Sequence, residues 1–263
     1  MLDEQTREHI ADEIYRCYRE VSQIELLNPR YPSLEAEDSY KIQERVVARF
    51  GADGAPVKGY KVGLTSKPMQ EMAGTDEPDY SAIPSEFFFP EASEIPFSRF
   101  NTPMVEIELA FVMKERLSGP GINVVDAIRA IDFALPAIEV VDFRVARAPG
   151  MDVRDTIADL AAVGAVVLGG RPMPLTAVDL RAVEGSLIIN DATVESGCAS
   201  AVLGNPLNAV VWLANKLGEF GVSFEPGDVV LSGSFIRIAP VALGDCVVAD
   251  FGSGFGRVHI DFV

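Results

Sequence analysis

The ten residues from Met104 to Met113, MVEIELAFVM, constrain this chain more than any other stretch. Their period is two. Val105, Ile107, Leu109 and Phe111 project to one side of an extended strand, and Met104, Glu106, Glu108, Ala110 and Val112 to the other. Two glutamates therefore share a face that is otherwise apolar. Like charges so placed repel, and burying an ionised carboxylate unpaired is costly. Two readings are open. Either hard oxygen ligands hold a divalent cation on this face, or the face is solvated and the glutamates are ordinary surface residues.

A second extended stretch, Ala137 to Phe143, carries Glu139 on the side of Ala137 and Val141, with Asp142 facing the other way. Glu106, Glu108 and Glu139 would together give three oxygen ligands and leave the remaining positions of an octahedral cation to water or substrate. Only two histidines exist, His9 in a helical N-terminal stretch and His259 in the terminal VHIDF run. Ser-His-Asp or Cys-His catalysis and histidine-rich zinc sites are thus poorly supplied. An all-oxygen site points to magnesium or manganese over zinc. Cys17, Cys198 and Cys246 are odd in number and far apart, which argues against a disulfide framework and for a reducing, cytoplasmic setting.

A net charge of −17 argues against a nucleic-acid partner. It leaves room for an anionic small substrate, because a buried metal reverses the local field. No apolar run approaches the ~20 residues of a membrane span, and the start, MLDEQTREHI, lacks the pattern of a secretory signal.

Along the chain, helical spacing over about 4–27 places Ile10, Ile14, Tyr18, Val21 and Leu26 on one stripe, and Ser33 is expected to cap a second helix over 34–50. Residues 1–56 read as a helical N-terminal arm. From Val57 the texture changes to short strands split by Gly and Pro. KGYKVGLTS enters a tight turn, and TDEPDYSAIP (75–84) reads as a loop. Further strands are expected over 161–169, 228–231, 236–241, 245–251 and 257–262, with a hairpin turn at Asn190-Asp191 and a helix over 206–217. The expected architecture is α+β: residues 57–263 form a mixed β-roll continuous with the arm.

KGYKVGLTS (58–66), EPDY (77–80), VEIELAFV (105–112), PAIEVVDFR (136–144) and GNPLNAVVWLANKL (204–217) together resemble the 2-keto-4-pentenoate hydratase and 2-oxohept-3-enedioate hydratase family. That family lies within the fumarylacetoacetate hydrolase-like superfamily and serves aromatic meta-cleavage pathways. The blocks cover nearly the whole chain. The resemblance implies a magnesium or manganese site on Glu106, Glu108 and Glu139, chelated by the 2-oxo-carboxylate end of a small anionic substrate. It implies that water adds to a dienol-derived enone to give a 4-hydroxy-2-oxo acid. Lys61 would stabilise or protonate an enolate, with its pKa depressed by the cation. Gly63, Leu64, Thr65 and Ser66 would bind the carboxylate through backbone N–H groups and the serine hydroxyl. Asp79 would handle the attacking water.

The resemblance also implies a homo-oligomer and association with a pathway decarboxylase. The related 4-oxalocrotonate decarboxylases share the metal strands and the lysine but tend to lack an acid at the Asp79 position, so Asp79 favours hydration. A low-activity partner subunit is the third reading. Two departures stand out. Leu160, in DTIADLAAVGA, replaces an expected amide, and Asn205, in GNP, replaces a histidine. Arg144, Arg147 and Arg237 are candidates to read a second substrate carboxylate.

Overall fold

The computed structural model describes residues 1–263, the side chain of Ser253 apart. Its helices are α1 (Glu4–Glu20), α2 (Leu27–Arg30), α3 (Ala36–Ala52), α4 (Lys67–Ala73), α5 (Val124–Ala130), α6 (Val153–Ala158), α7 (Pro206–Gly218) and α8 (Gly252–Phe255). Its longer strands are β1 (Val57–Gly63), β2 (Asp79–Pro84), β5 (Met104–Met113), β6 (Ile131–Val141), β7 (Val163–Leu168), β8 (Glu184–Ile189), β9 (Ala192–Cys198), β12 (Cys246–Asp250) and β13 (Arg257–Phe262). The short ones are β3 (Phe88–Phe89), β4 (Glu94–Ile95), β10 (Val229–Leu231) and β11 (Ala239–Pro240). Among the described residues no helix is long and apolar enough to cross a membrane.

The larger sheet runs β2-β1-β10-β5-β6-β7-β3, with β11 also on β5, and the smaller runs β4-β13-β12-β8-β9. β5 and β6 pair antiparallel along nearly their whole length and form the centre of the larger sheet. The β5 face of Val105, Ile107, Leu109 and Phe111 lies in the main core, together with Ile138, Val140 and residues of the smaller sheet. The opposite face meets the arm. Ala110, Ala137, Val166 and Leu231 share a second apolar cluster with Ile10, Ile14, Ile42, Val46 and Phe50. The arm helices therefore complete a core layer against the same face that carries the glutamates.

Several expected boundaries moved, each for a local reason. α1 stops at Glu20 because Val21 takes a left-handed conformation, so Leu26 belongs to a separate turn. α3 begins after Glu35, not Ser33. Asp38 accepts the Glu35 backbone N–H and also ties down Leu2 and Arg7, a capping role that no one-residue pattern announces. Asp79–Pro84 is a strand where a loop was expected: it pairs with β1, and its turn-like composition hid that pairing. β6 starts at Ile131 and runs straight through Pro136, which sits opposite Leu109. Residues 236–241 pair only at Ala239 and Pro240. The hairpin at Asn190-Asp191 forms as expected, both residues having positive φ.

Phe50 marks how firmly the arm is joined. It is fully buried and meets Tyr15, Tyr18 and Phe87 edge-on, so it links two arm helices to the segment following β2. Phe50→Ala should destabilise the protein by about 3–5 kcal/mol. Urea unfolding followed by circular dichroism should show one cooperative transition at a lower midpoint. A separate early transition would mean that the arm folds independently.

Candidate metal and catalytic site

The pairing register brings the three glutamates together. Glu106 on β5 stands directly opposite Glu139 on β6, and Glu108 is opposite Ala137. Directly opposed like charges on neighbouring strands are destabilising. Here one carboxylate oxygen from each of Glu106, Glu108 and Glu139 falls within 4.8 Å of the others. Glu108 and Glu139 are buried and Glu106 is half-buried, so the solvated-face reading does not hold.

Lys61 reaches the same point from β1. Lys61 pairs with Leu231, and Leu231 pairs with Ala110, which places the lysine on the glutamate face. It is buried, and its Nζ forms an ion pair with Glu139 Oε1. The same Nζ donates to the Ala161 carbonyl at 2.9 Å. Asp79 opposes Gly63 at the end of β1 and is likewise buried. A Cβ on Gly63 would lie 2.2 Å from Asp79 Oδ1, so only glycine lets this carboxyl lie against the strand. Gly233 turns the chain away after β10 with φ +94. Its N–H donates to Glu108 Oε2 at 2.7 Å. It also packs so closely on Thr65 that an added Cβ would lie 2.6 Å from the threonine methyl.

Of the expected carboxylate-binding turn, Gly63 and Thr65 thus border the acids. Leu64 is left-handed, with its carbonyl held by Gln70, and Ser66 precedes α4. Gln70 and Gly233 were missed as positioning residues. For Gly233 the available signal was the glycine of Ser232-Gly233-Ser234 directly after a short apolar strand.

The Ala161 carbonyl is aimed at Lys61 by an unusual backbone. Leu160, Ala161 and Ala162 all have positive φ, a conformation costing about 1 kcal/mol or more each for such residues. A buried network holds it. Asp159 accepts from the backbone N–H groups of Arg144 and Val145 and from Arg144 Nε, while Arg144 Nη2 donates to the Val163 carbonyl at 2.7 Å. Arg144 also stacks 3.7 Å from the Tyr18 ring centre on the arm. Arg144 is therefore committed to structure and is neither a surface residue nor a reader of substrate. Leu160 points into the arm cluster and offers no polar group to the site. Asn205 caps α7, accepting from the Leu207 N–H, where the histidine was expected.

The electrostatics of the cluster follow from its burial and from the closeness of its acids. Burial, followed by repulsion from Glu139, pushes Glu106 up to about 7. Burial and the neighbouring glutamates hold Glu108 well above the usual carboxylate range. Burial raises Asp79 to about 6. For Lys61, burial works to lower the pKa, but the attraction of Glu139, Glu106 and Glu108 outweighs it and the value is raised. The depression expected from a cation is thus absent from the protein's own groups. Glu139 Oε2 and Asp79 Oδ1 are buried with no hydrogen-bond partner. Once ionised, the three carboxylates beside one lysine carry two negative charges, which a divalent ion would match, and Glu139 Oε2 is a ligand atom available to it. The donor set fits.

An α+β fold carrying an all-oxygen cation cradle beside a buried lysine and aspartate defines a class of metal-dependent enzyme. The comparisons narrow it. Residues 47–262 match the family described as fumarylacetoacetate (FAA) hydrolase C-terminal. The 2-oxo-hept-4-ene-1,7-dioate hydratase of Escherichia coli is 39% identical over 100% of both chains. The 2-keto-4-pentenoate hydratase of Paraburkholderia xenovorans is 34% identical over 98% of this chain and 95% of that one. Among solved structures, 4-oxalocrotonate decarboxylase from Pseudomonas putida, complexed with magnesium and adipate, superimposes with a TM-score of 0.96. It shares 32% identity and covers 100% of this chain and 99% of that one. The chain belongs to the fumarylacetoacetate hydrolase family, and its fold is that family's.

Two predictions come from the site. Glu106 titrates near 4.5 when unfolded and about 7 when folded, and Glu108 shifts the same way. The folded chain therefore binds more protons across that interval, so metal-free stability falls as pH rises from about 4.5 to 7. Saturating magnesium should raise the melting temperature progressively more over the same range, because the ion binds the deprotonated ligands. A pH-independent magnesium shift in scanning calorimetry would contradict this. Separately, Gly63→Ala should displace the Asp79 carboxyl and lower kcat by at least tenfold while leaving the magnesium Kd within about twofold.

Proposed function

We propose that this chain is a divalent-metal-dependent hydratase of aromatic catabolism. It adds water to a 2-hydroxy-dienoate, through its 2-oxo-enoate tautomer, to give a 4-hydroxy-2-oxo acid. The observation that carries this reading is the convergence of Glu106, Glu108 and Glu139 from two strands, with Lys61 and Asp79 on the same sheet face. Glu106, Glu108 and Glu139 would hold magnesium or manganese, whose chemistry there is Lewis-acid polarisation of a 2-oxo-carboxylate. Lys61, the cation nearest those acids, stabilises the enolate and delivers a proton to carbon 3. Asp79, poised at about 6, takes the proton from the water that attacks carbon 4. The turn Gly63, Leu64, Thr65 and Ser66 orients the substrate carboxylate.

Vinylogous decarboxylation is the second reading, favoured by the close superposition on a decarboxylase. Asp79 argues for hydration, because a decarboxylase gains by keeping an activated water from the enolate. We further propose a cytoplasmic homo-oligomer that associates with a decarboxylase of the same route. The isolated protein with magnesium should consume five- to seven-carbon dienols without CO₂ release. CO₂ evolution would instead support decarboxylation, and inactivity until a decarboxylase is added would identify a partner subunit. Glu106→Gln should lower kcat by a factor of ~10³ or more and abolish the magnesium-induced rise in melting temperature. Persistence of both would refute the metal assignment.

A further inference from the structure

Successive rungs of the β5–β6 ladder on the site face change character. Glu108 stands opposite Ala137, Glu106 opposite Glu139, and Met104 opposite Val141. The ladder is closed at the Glu108 end, where Ala110 and Ala137 are completely buried under the arm cluster. It opens at the other end. Glu106 is half-buried, and Met104, Val141 and Phe143 each keep a strip of accessible surface within a small apolar group that includes Ala162. Ala162 adjoins the carbonyl that receives Lys61. A molecule whose head lies on the carboxylate rungs must therefore extend over Met104 and Val141.

Arg147 stands at the end of that path. Its Nη1 lies 3.4 Å from Met104 Sδ. Among the described residues no carboxylate pairs with it, whereas Arg144 is consumed by Asp142 and Asp159. The chain just before Arg147 is pinned by reciprocal backbone hydrogen bonds with Ile24, Ile24 N–H to the Arg144 carbonyl and Ala146 N–H to the Ile24 carbonyl, each 2.8 Å. The backbone leading into Arg147 is thus set by the scaffold, and the arginine itself is exposed. Arg237, the third arginine considered, has no described contact with this rung, where its neighbour Ile238 packs instead.

Length decides what fits. Two residues along an antiparallel strand cover about 6.8 Å. A zigzag of seven carbons, with C–C bonds of about 1.5 Å, spans roughly 7.5 Å. A seven-carbon chain with its 2-oxo-carboxylate on the glutamate rung lays its apolar middle on the Met104–Val141 rung. Its far carboxylate then reaches Arg147. A five-carbon monoacid has no charge to place there.

We propose that Arg147 is the specificity-determining residue that binds the distal carboxylate of a seven-carbon 2-oxo-1,7-diacid, with Met104 and Val141 as the bed for its chain. This rests on the metal-dependent 2-oxo-acid reading of the site, and the test separates the two. Calorimetry in saturating magnesium would measure two unreactive saturated probes, 2-oxoheptanedioate and 2-oxopentanoate, against the wild type and Arg147→Met. The wild type should bind the diacid roughly tenfold more tightly than the monoacid, the value of one hydrogen bond to a charged group. Arg147→Met should abolish that margin while leaving monoacid affinity and the magnesium Kd within twofold. Arg147→Lys should restore part of it, and Arg237→Met should change nothing. With a seven-carbon dienol substrate the loss should fall on KM more than on kcat. Equal weakening of both probes, or an undiminished diacid preference in Arg147→Met, would overturn the assignment of Arg147. Failure of both probes to bind the magnesium-loaded wild type would overturn the underlying reading as well. Diacid selectivity without turnover would leave Arg147 assigned and refute only the hydratase chemistry.

Discussion

The repulsion between Glu106 and Glu139 organises this protein. Two carboxylates on one rung of a buried ladder are a stability cost that a scaffold concerned only with folding would not keep. The structure answers it from several directions. Lys61 spans from β1 to neutralise one oxygen of Glu139, and Gly233 donates a backbone N–H to Glu108. Once the glutamates are ionised, two negative charges and a buried Glu139 oxygen with no hydrogen-bond partner remain, an imbalance that a divalent cation would match. Strain elsewhere serves the same rung. The left-handed turn at 160–162 exists to present a carbonyl to Lys61, and a fully buried arginine network holds that turn in place.

Much of this was legible in the residues. The period-two pattern of MVEIELAFVM specified the β5 faces to the residue, because successive side chains of a strand alternate between its two faces. Glu139 was legible for the same reason, as an acid on the Ala137–Val141 side of the next strand. The exact opposition of Glu106 and Glu139 was not, since register between strands depends on the hairpin that joins them. Here that connection contains α5, and no local rule fixes its length.

What stayed hidden was hidden by context. Asp79 sits in a turn-rich string, yet its strand forms because β1 offers an edge to pair with. Arg144 was a candidate to read a second substrate carboxylate, and only three-dimensional closure shows Asp142, Asp159 and Tyr18 surrounding it. Gly233 carried the glycine signal for a positive φ, but its donated N–H becomes meaningful only once β10 lies beside β5. Leu160 is the reverse case. Its departure from the family pattern was plain in the sequence, and the structure shows the cost: a branched side chain in a left-handed position that an amide residue would occupy more easily.

The arm draws these threads together. It supplies apolar residues to the layer against the site face, and it reaches Lys61 through a short physical chain. Tyr18 on α1 stacks on Arg144, Arg144 binds Asp159, and Asp159 opens the turn whose carbonyl holds Lys61. Ile24, just beyond α1, pins the segment that leads to Arg147. The arm thus closes the Glu108 end of the ladder, supports the turn that holds the lysine at its middle and pins the backbone leading to the arginine at its open end. On the proposed reading, a substrate would enter a site open in one direction only, and its chain length would be measured against strand rungs whose zero is the pair of opposed glutamates.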